Sequence, residues 1–328
     1  MPRIRNLLVA GLLLLLAATP AAASQSNADA ARAERERVFK YWTAERMATA
    51  IPRDFVRTDK GFVPAARPPG AGKPGGGGGG GSTVTGASWN GGGQILEASG
   101  KVFFTMAPYN YQCSGSVAND ARSGHSLVLT AAHCAYDEVA GKFATNWVFI
   151  PEWDTQPSGD GPHGRWAASA LVVHSGYADA GGFTDEATWH DFAFAVVTTG
   201  STGGQLDATV GSFPIAFSGV SKGNSLYAFG YPAAGKYKGR DLTYCAGPIF
   251  EDPYNDEKTW GMTCDMTGGS SGGPWLSSFS TSDGSGTLSS LNSYGYSGIK
   301  AMHGPKFDSN TQAVYNAANS ATSNKVVP

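Results

Sequence analysis

Short apolar runs alternate with polar, glycine-rich turns over the chain after residue 82. Seven runs are bounded by turn residues and contain β-branched or aromatic side chains; they cover residues 101–106, 126–131, 147–150, 170–173, 192–197, 225–229 and 299–302. Strands of this length and spacing are typical of β-barrels and sandwiches, and not of alternating βαβ units. The pattern predicts an all-β domain over residues 83–328, with a short C-terminal helix at residues 311–320.

The chain before residue 83 has a different character. Residues 28–50 are rich in alanine and charge and predict a helix that is polar on most faces, which cannot build a core alone. Several prolines follow, and then an unbroken glycine run at residues 75–81, which is typical of a flexible tether. Residues 24–69 are therefore either a disordered extension or a pro-segment joined by a Gly/Pro-rich linker, residues 70–82. We favour the pro-segment, because proteolysis concentrates in exposed tethers of this kind.

The first residues predict export. Arg3 and Arg5 precede an apolar stretch at residues 7–18, and Ala21 and Ala23 offer the small-x-small pattern of a signal-peptidase site. The stretch is shorter than the roughly 20 residues that span a bilayer, so a removed signal peptide (residues 1–23) is favoured over a retained anchor. We expect a secreted, extracellular protein without stable membrane association.

Composition limits the classes of binding partner and indicates the redox state of the cysteines. The formal net charge is −2, so no broad basic field exists to attract nucleic acid. The four cysteines of an exported chain predict two disulfides, for which three connectivities are possible. A zinc site is the alternative, but the chain has no C-x-x-C pair.

The first chemically informative string is Leu-Val-Leu-Thr-Ala-Ala-His-Cys, which ends at His133 and Cys134. An apolar strand here delivers a histidine at its end, and Cys134 could tie that end to Cys113. A general base must be held rigidly, and a strand end fixed by a disulfide provides this. A lone histidine after a strand is usually structural, but this longer string is more specific.

The second string is Trp-His-Asp-Phe-Ala-Phe-Ala-Val-Val, which places Asp191 at the start of an apolar run. An aspartate there ordinarily caps a turn. A catalytic triad, however, needs a buried carboxylate bonded to the imidazole N–H. We select Asp191 because the competing carboxylates lie in polar or Gly/Pro-rich loops; they are Asp137, Asp154, Asp160, Asp179 and Asp185.

The third string is Thr-Gly-Gly-Ser-Ser-Gly-Gly-Pro-Trp, which contains Ser271. Flanking glycines let backbone N–H groups turn inward and a substrate carbonyl approach closely. Ser271 is the predicted nucleophile, and the N–H groups of Gly269 and Ser271 are the predicted oxyanion donors.

Together these strings resemble the three active-site blocks of the trypsin-like serine peptidases, in the family order His, Asp, Ser. Cys113-Ser-Gly-Ser-Val also resembles the strand that faces the catalytic histidine. The resemblance covers about residues 90–320. The low cysteine count, Gly230-Tyr-Pro and Thr-Gly-Gly-x-Ser are similar to the bacterial glutamyl-endopeptidase-like branch.

The resemblance implies two antiparallel six-stranded β-barrels with the active site in the cleft between them. The catalytic residues would be His133, Asp191 and Ser271, with no metal or organic cofactor. Polypeptide substrates would add as an extended strand beside residues 299–304, and the protein would be a monomer. The predicted disulfides are Cys113–Cys134 and Cys245–Cys264.

Two departures from the family pattern matter. The residue before the nucleophile is Ser270, where many members carry an aspartate that pairs with a freed N-terminus. Activation must therefore work differently, and a pro-segment that blocks the site or assists folding is the hypothesis. In the substrate pocket, Asp265 has the offset of the acid that selects Arg or Lys, whereas the glutamyl branch uses a histidine, for which His303 is the candidate. Basic, acidic and apolar preferences all stay open.

Two other classes compete with a peptidase. Gly-Ser-Ser-Gly-Gly also fits the nucleophile elbow of α/β-hydrolases, but that fold needs the order Ser, acid, His and alternating βαβ units. The second alternative is a catalytically inactive member of the same fold that acts as a binding or adhesion module. The presence of all three triad residues disfavours it.

Overall fold

The computed structural model describes residues 20–65, 83–154 and 159–328, with side chains from residue 25 onward. The predicted linker lies outside these residues, as does most of the predicted signal peptide. Within the described part of the chain, no helix is both long enough and apolar enough to cross a membrane.

The secondary structure is mainly β. The helices are α1 (Pro20–Tyr41), α2 (Ala44–Thr49), α3 (Gln94–Ala98), α4 (Ser175–Ala178), α5 (Asp185–Trp189), α6 (Leu206–Val210) and α7 (Ser309–Ala318), and a 3₁₀ turn covers Ala132–Cys134. Strands of the first half are β1 (Ile51–Pro52), β2 (Phe55–Thr58), β3 (Gly61–Pro64), β4 (Val84–Ser88), β5 (Ser99–Met106), β6 (Tyr109–Ala118), β7 (Ser126–Thr130), β8 (Tyr136–Asp137), β9 (Lys142–Phe143), β10 (Thr145–Pro151), β11 (Trp166–His174) and β12 (Ala193–Val197). Those of the second half are β13 (Ser225–Gly230), β14 (Thr243–Pro248), β15 (Phe250–Glu251), β16 (Thr259–Thr263), β17 (Pro274–Ser277), β18 (Thr287–Leu291), β19 (Tyr294–Tyr296), β20 (Ile299–Pro305) and β21 (Lys325–Val327).

A closed six-stranded barrel forms the first half of the domain. Its strands are ordered β6-β5-β10-β11-β12-β7, and β7 pairs back with β6 to close it. All its neighbouring strands are antiparallel. Every residue of β7 and β12 is buried, because one face lines the barrel and the other is covered. This explains why both strands appear in the sequence as continuous apolar runs.

The second half consists of two sheets, ordered β18-β17-β13-β14-β4 and β15-β16-β20-β19-β2-β3. A separate apolar core contains residues of both, including Leu226, Trp275, Trp260 and Met302. The Cys245–Cys264 disulfide joins β14 to the residue that follows β16. Among the described strands, pairing does not close these sheets into the predicted second barrel.

The described residues 20–65, called the N-terminal region below, are divided between two units. Residues up to Glu34 form one unit, whose described part is the first portion of α1. Residues 35–65 belong to the main unit. The single helix predicted at residues 28–50 is two helices, because the chain leaves helical geometry after Tyr41 and Thr43 caps α2. The side chain of Trp42 is 1% exposed and packs 5.5 Å from Phe103 of β5, which anchors residues 35–65 on the barrel.

The seven predicted strands are all present, as is the C-terminal helix, which begins two residues earlier than predicted. The predicted place of strand addition is wrong. β20, which contains residues 299–304, lies inside its sheet between β16 and β19, so both its edges are already paired. The neighbour of β19 on its other side is β2, from the N-terminal region.

Candidate active site

His133 lies where β7 ends, in the 3₁₀ turn, and its side chain is fully buried. The Cys113–Cys134 disulfide joins this turn to β6, and the indole of Trp147 donates to the Cys134 carbonyl at 3.1 Å. These contacts fix the backbone on which the imidazole stands. The rigid support expected for a general base is therefore present.

Asp191 follows the short helix α5, whose N-cap is Thr184, and is fully buried. Its Oδ2 atom accepts from His133 Nδ1 at 2.8 Å and from the Ser293 hydroxyl at 2.5 Å. Its Oδ1 atom accepts from the backbone N–H of His133 at 2.9 Å. The carboxylate thus orients the ring and places its other nitrogen, Nε2, toward the cleft.

Ser271 lies in the turn before β17 and is 1% exposed. The next residue, Gly272, has φ of +80°. A Cβ atom there would lie 2.2 Å from Thr130 Oγ1 and 2.4 Å from the Ser114 carbonyl. Only glycine allows this close approach, which brings the Ser271 turn against the strands that carry His133.

The predicted oxyanion donors lie in the same turn. Gly269 has φ of +100°, and its carbonyl accepts from the Ser114 hydroxyl at 2.8 Å. That carbonyl therefore points away from the nucleophile and into the first barrel. In the described part of the chain, neither the Gly269 nor the Ser271 N–H donates to a protein acceptor.

Residues of the N-terminal region contact the reactive atoms directly. The Ser271 hydroxyl donates to Asp54 Oδ1 at 3.2 Å, and His133 Nε2 lies 3.2 Å from the Arg53 carbonyl. Among the described hydrogen bonds, none joins Ser271 to His133. The Arg53 carbonyl and the Asp54 carboxylate thus take up the contacts of His133 Nε2 and of the Ser271 hydroxyl.

Aromatic contacts hold this region in the cleft. The ring of Phe55 stacks on Phe183 at 4.0 Å and meets His133 edge-on at 5.5 Å. Phe62 of β3 packs against Phe183 and Tyr294. Such pairs add stability beyond the apolar area that they bury.

The direction of this region through the cleft is defined by strand pairing. β1 pairs in parallel with β6, and β2 pairs in parallel with β19. Antiparallel pairing is the slightly more stable arrangement per residue. A peptide that paired antiparallel with β19 would run in the opposite direction from the N-terminal region.

Burial changes the acidity of Asp54. Desolvation raises the pKa of this carboxyl from 3.8 to about 6, although His133 and the Ser271 hydroxyl act in the other direction. The protonated carboxyl is therefore favoured in the closed cleft more than in water.

Asp265, a predicted pocket residue, already has partners. Its carboxylate accepts from Lys236 Nζ at 2.8 Å and from the Tyr237 hydroxyl at 2.5 Å. It lies against Gly86 of β4, where an added Cβ atom would be 2.2 Å away. No described contact joins it to His133, Asp191 or Ser271.

His303, the other predicted pocket residue, is buried in β20 and stacks on Tyr294 at 5.1 Å. Its Nε2 atom lies 3.7 Å from Asp252 Oδ2. Desolvation lowers the pKa of His303 to about 4, against the opposing effect of Asp252. The ring is neutral near pH 7, and no described contact links it to the three predicted catalytic residues.

Sequence reasoning missed three groups at the site. Ser293 donates to Asp191, while Arg53 and Asp54 meet His133 and Ser271. Ser293 sits in a polar stretch without a distinguishing pattern. Arg53 and Asp54 lie in a region whose composition suggested a tether and a helix, and no local signal links them to a catalytic centre.

The arrangement is that of a hydrolase with a serine nucleophile on a mostly β fold of the chymotrypsin type. No protein-family model matches the chain, and the comparison with curated proteins finds no match. Among solved structures, a thermostable serine protease, AL20, from an extremophilic microorganism is 39% identical, with a TM-score of 0.61 over 70% of this chain and 99% of that chain. The protease Anisep from Arthrobacter nicotinovorans is 40% identical, with a TM-score of 0.60 over 69% and 96%.

A Glu endopeptidase structure in complex with MPD is also similar, with 19% identity and a TM-score of 0.54 over 73% of this chain and 98% of that chain. At this identity it supports the fold alone. The two closer relatives are covered almost completely. The chain belongs to the trypsin-like serine peptidases, as the three active-site strings predicted.

Proposed function

We propose that this chain is a secreted, extracellular and monomeric serine endopeptidase with the triad His133, Asp191 and Ser271. The observation that carries the proposal is the buried His133 ring, held by Asp191 at 2.8 Å, whose Nε2 atom meets Arg53 while the Ser271 hydroxyl meets the next residue, Asp54. The two disulfides fit an oxidising compartment.

The reaction uses groups of this chain alone. Ser271 Oγ attacks the scissile carbonyl while His133 Nε2 takes its proton, and the N–H groups of Gly269 and Ser271 bind the oxyanion. His133 then gives the proton to the leaving amine, and the acyl-enzyme forms. A water molecule, deprotonated by the same ring, releases the acyl group and restores Ser271.

We further propose that residues 24–69 are a pro-segment that keeps the enzyme latent until the linker at residues 70–82 is cut. Three features support this role: Asp54 engages the Ser271 hydroxyl, the Arg53 carbonyl engages His133, and β2 covers the edge of β19. The parallel direction suits a blocking role, because a peptide laid in reverse does not present its carbonyl in the productive orientation. This also provides an activation route that needs no carboxylate at position 270.

Labelling with a fluorophosphonate tests the nucleophile. The cut enzyme should carry the label on Ser271, and Ser271→Ala should lose it completely, because the probe reacts with an activated serine. The matched control is Ser270→Ala: this neighbouring hydroxyl donates to the Thr267 carbonyl and does not face the cleft, so labelling should continue at the wild-type rate. Equal labelling of wild type and Ser271→Ala would refute the proposal and favour an inactive binding module.

Latency should weaken as the pH rises. Because the pKa of Asp54 is raised to about 6 in the closed cleft, closure is favoured fully below about pH 4 and loses this stabilisation as the pH passes through about 6. We expect the ratio of labelling rates, uncut to cut, to rise by on the order of a hundredfold from about pH 4 to about pH 7. Taking the ratio cancels any pH dependence of the labelling reaction that the cut and uncut forms share. In Asp54→Asn the ratio should be flat; an unchanged slope in that variant would assign the pH dependence to another group.

A further inference from the structure

Glu138 is a buried carboxylate beside the catalytic centre that the proposed mechanism does not use. It follows β8, five positions after His133 in the sequence, and its side chain is 3% exposed. Tyr177 donates its hydroxyl to Glu138 Oε2 at 2.8 Å. A buried carboxylate is costly unless it is paired with a cation.

The cation comes from the N-terminal region. Arg53 Nη2 contacts Oε1 and Oε2 of Glu138 at 3.0 and 2.8 Å. The other terminal nitrogen, Nη1, donates to the His133 carbonyl at 2.6 Å and lies 3.1 Å from Met106 Sδ. The guanidinium side chain is 11% exposed. The surroundings of Glu138 therefore form a ready-made site for a guanidinium group.

Release of the pro-segment would take this cation away. Glu138 would then face the open cleft with the Tyr177 hydroxyl beside it. A basic side chain of a bound substrate would restore the lost ion pair and hydrogen bonds. Arginine would suit the site better than lysine, because its planar guanidinium group can donate to the Glu138 carboxylate and to the His133 carbonyl at the same time.

The direction of the chain locates this site relative to the scissile bond. The pro-segment passes β6 first, then the catalytic residues, and then β19. A substrate paired antiparallel with β19 runs in the opposite direction, so its residues after the scissile bond occupy the side near β6. Arg53, whose N–H donates to the Gln112 carbonyl of β6 at 3.1 Å, lies on that side.

The structure assigns Glu138 as a specificity-determining residue that selects an arginine or lysine just after the scissile bond of the substrate. This inference rests on the proposed function, because it requires an active enzyme from which residues 24–69 have departed. It is independent of the residue before the scissile bond, for which Asp265 and His303 were the candidates.

Matched peptide substrates test the assignment on the cut enzyme. A series differs only in the first and second positions after the scissile bond, which hold arginine, lysine or citrulline; citrulline keeps the shape of arginine without its charge. In wild type, kcat/KM should be about tenfold or more higher for arginine than for citrulline, since hydrogen bonds in which donor or acceptor is ionised are about twice as strong as neutral ones. Glu138→Gln should remove this preference, so that the arginine and citrulline peptides are cleaved with similar kcat/KM.

The controls separate the possible failures. Glu257→Gln changes an exposed carboxylate and should keep the preference for arginine. Fluorophosphonate labelling of Glu138→Gln shows whether this variant is folded. If it does not label, the fallback measurement is inhibition of the enzyme by arginine amide, which should be weaker in Glu138→Asp than in wild type. Equal kcat/KM values of the wild-type enzyme for the arginine and citrulline peptides would overturn the role of Glu138 but not the proposed function. A wild-type enzyme that neither cleaves nor labels would overturn the proposed function instead.

Discussion

Asp191→Asn should lower kcat of the cut enzyme about ten-thousandfold while changing KM little. The Asp191 carboxylate accepts three hydrogen bonds, from His133 Nδ1, the His133 backbone N–H and the Ser293 hydroxyl. An asparagine replaces one acceptor oxygen with an amide donor. The ring would then adopt the wrong tautomer and lose the negative charge that stabilises its protonated form.

Steady-state kinetics on the purified cut enzyme measure this effect. Asp179→Asn is the matched control, because Asp179 is an exposed carboxylate on the same stretch of chain, and its activity should equal that of wild type. The melting temperature of each variant shows whether the fold persists. A kcat of Asp191→Asn within tenfold of wild type would mean that the catalytic carboxylate lies elsewhere.

Separation of residues 24–69 from the domain should raise the labelling rate of Ser271 about a thousandfold. The closed form occupies both reactive atoms, and a tethered segment acts at an effective concentration in the millimolar range. Labelling therefore requires a rare opening in the uncut chain, whereas the cut enzyme, once the segment has dissociated, is open throughout.

A cleavage site for an unrelated protease, inserted between residues 70 and 82, allows the same preparation to be compared before and after cutting. The uncut double variant Arg53→Ala, Asp54→Ala should label much faster than the uncut wild type, because it loses the Glu138 ion pair and the Ser271 contact. The matched control is Lys60→Ala: Lys60 lies in an exposed turn, so the uncut variant should stay latent. An uncut wild type that labels as fast as the cut enzyme would exclude a blocking role.

The structure also changes the view of the substrate pocket. Asp265 is paired with Lys236 and accepts a hydrogen bond from the Tyr237 hydroxyl, and His303 is enclosed with Asp252 and Tyr294. Its offset from Ser271 suggested Asp265, and the resemblance to the glutamyl branch suggested His303, but position in the sequence does not fix the direction of a side chain. The charged residues that do contact His133 and Ser271, Arg53 and Asp54, had no recognisable pattern in the sequence.

The sequence by itself determined the fold class and the family and predicted the catalytic residues, because these inferences depend on local features. Alternating apolar runs specify strands, and the strings that contain His133 and Ser271 are short, contiguous and chemically distinctive. Asp191 needed only its position at the start of a buried strand and the order of the three blocks.

Only the tertiary structure decided what covers the catalytic centre. Asp54 meets Ser271 across 217 positions of sequence, and Arg53 meets Glu138 across 85. Contacts of this kind depend on how two distant stretches pack, and each stretch alone resembles an ordinary polar segment. The parallel direction of β2 beside β19 likewise follows from packing, since the apolar pattern of a strand is the same in either direction.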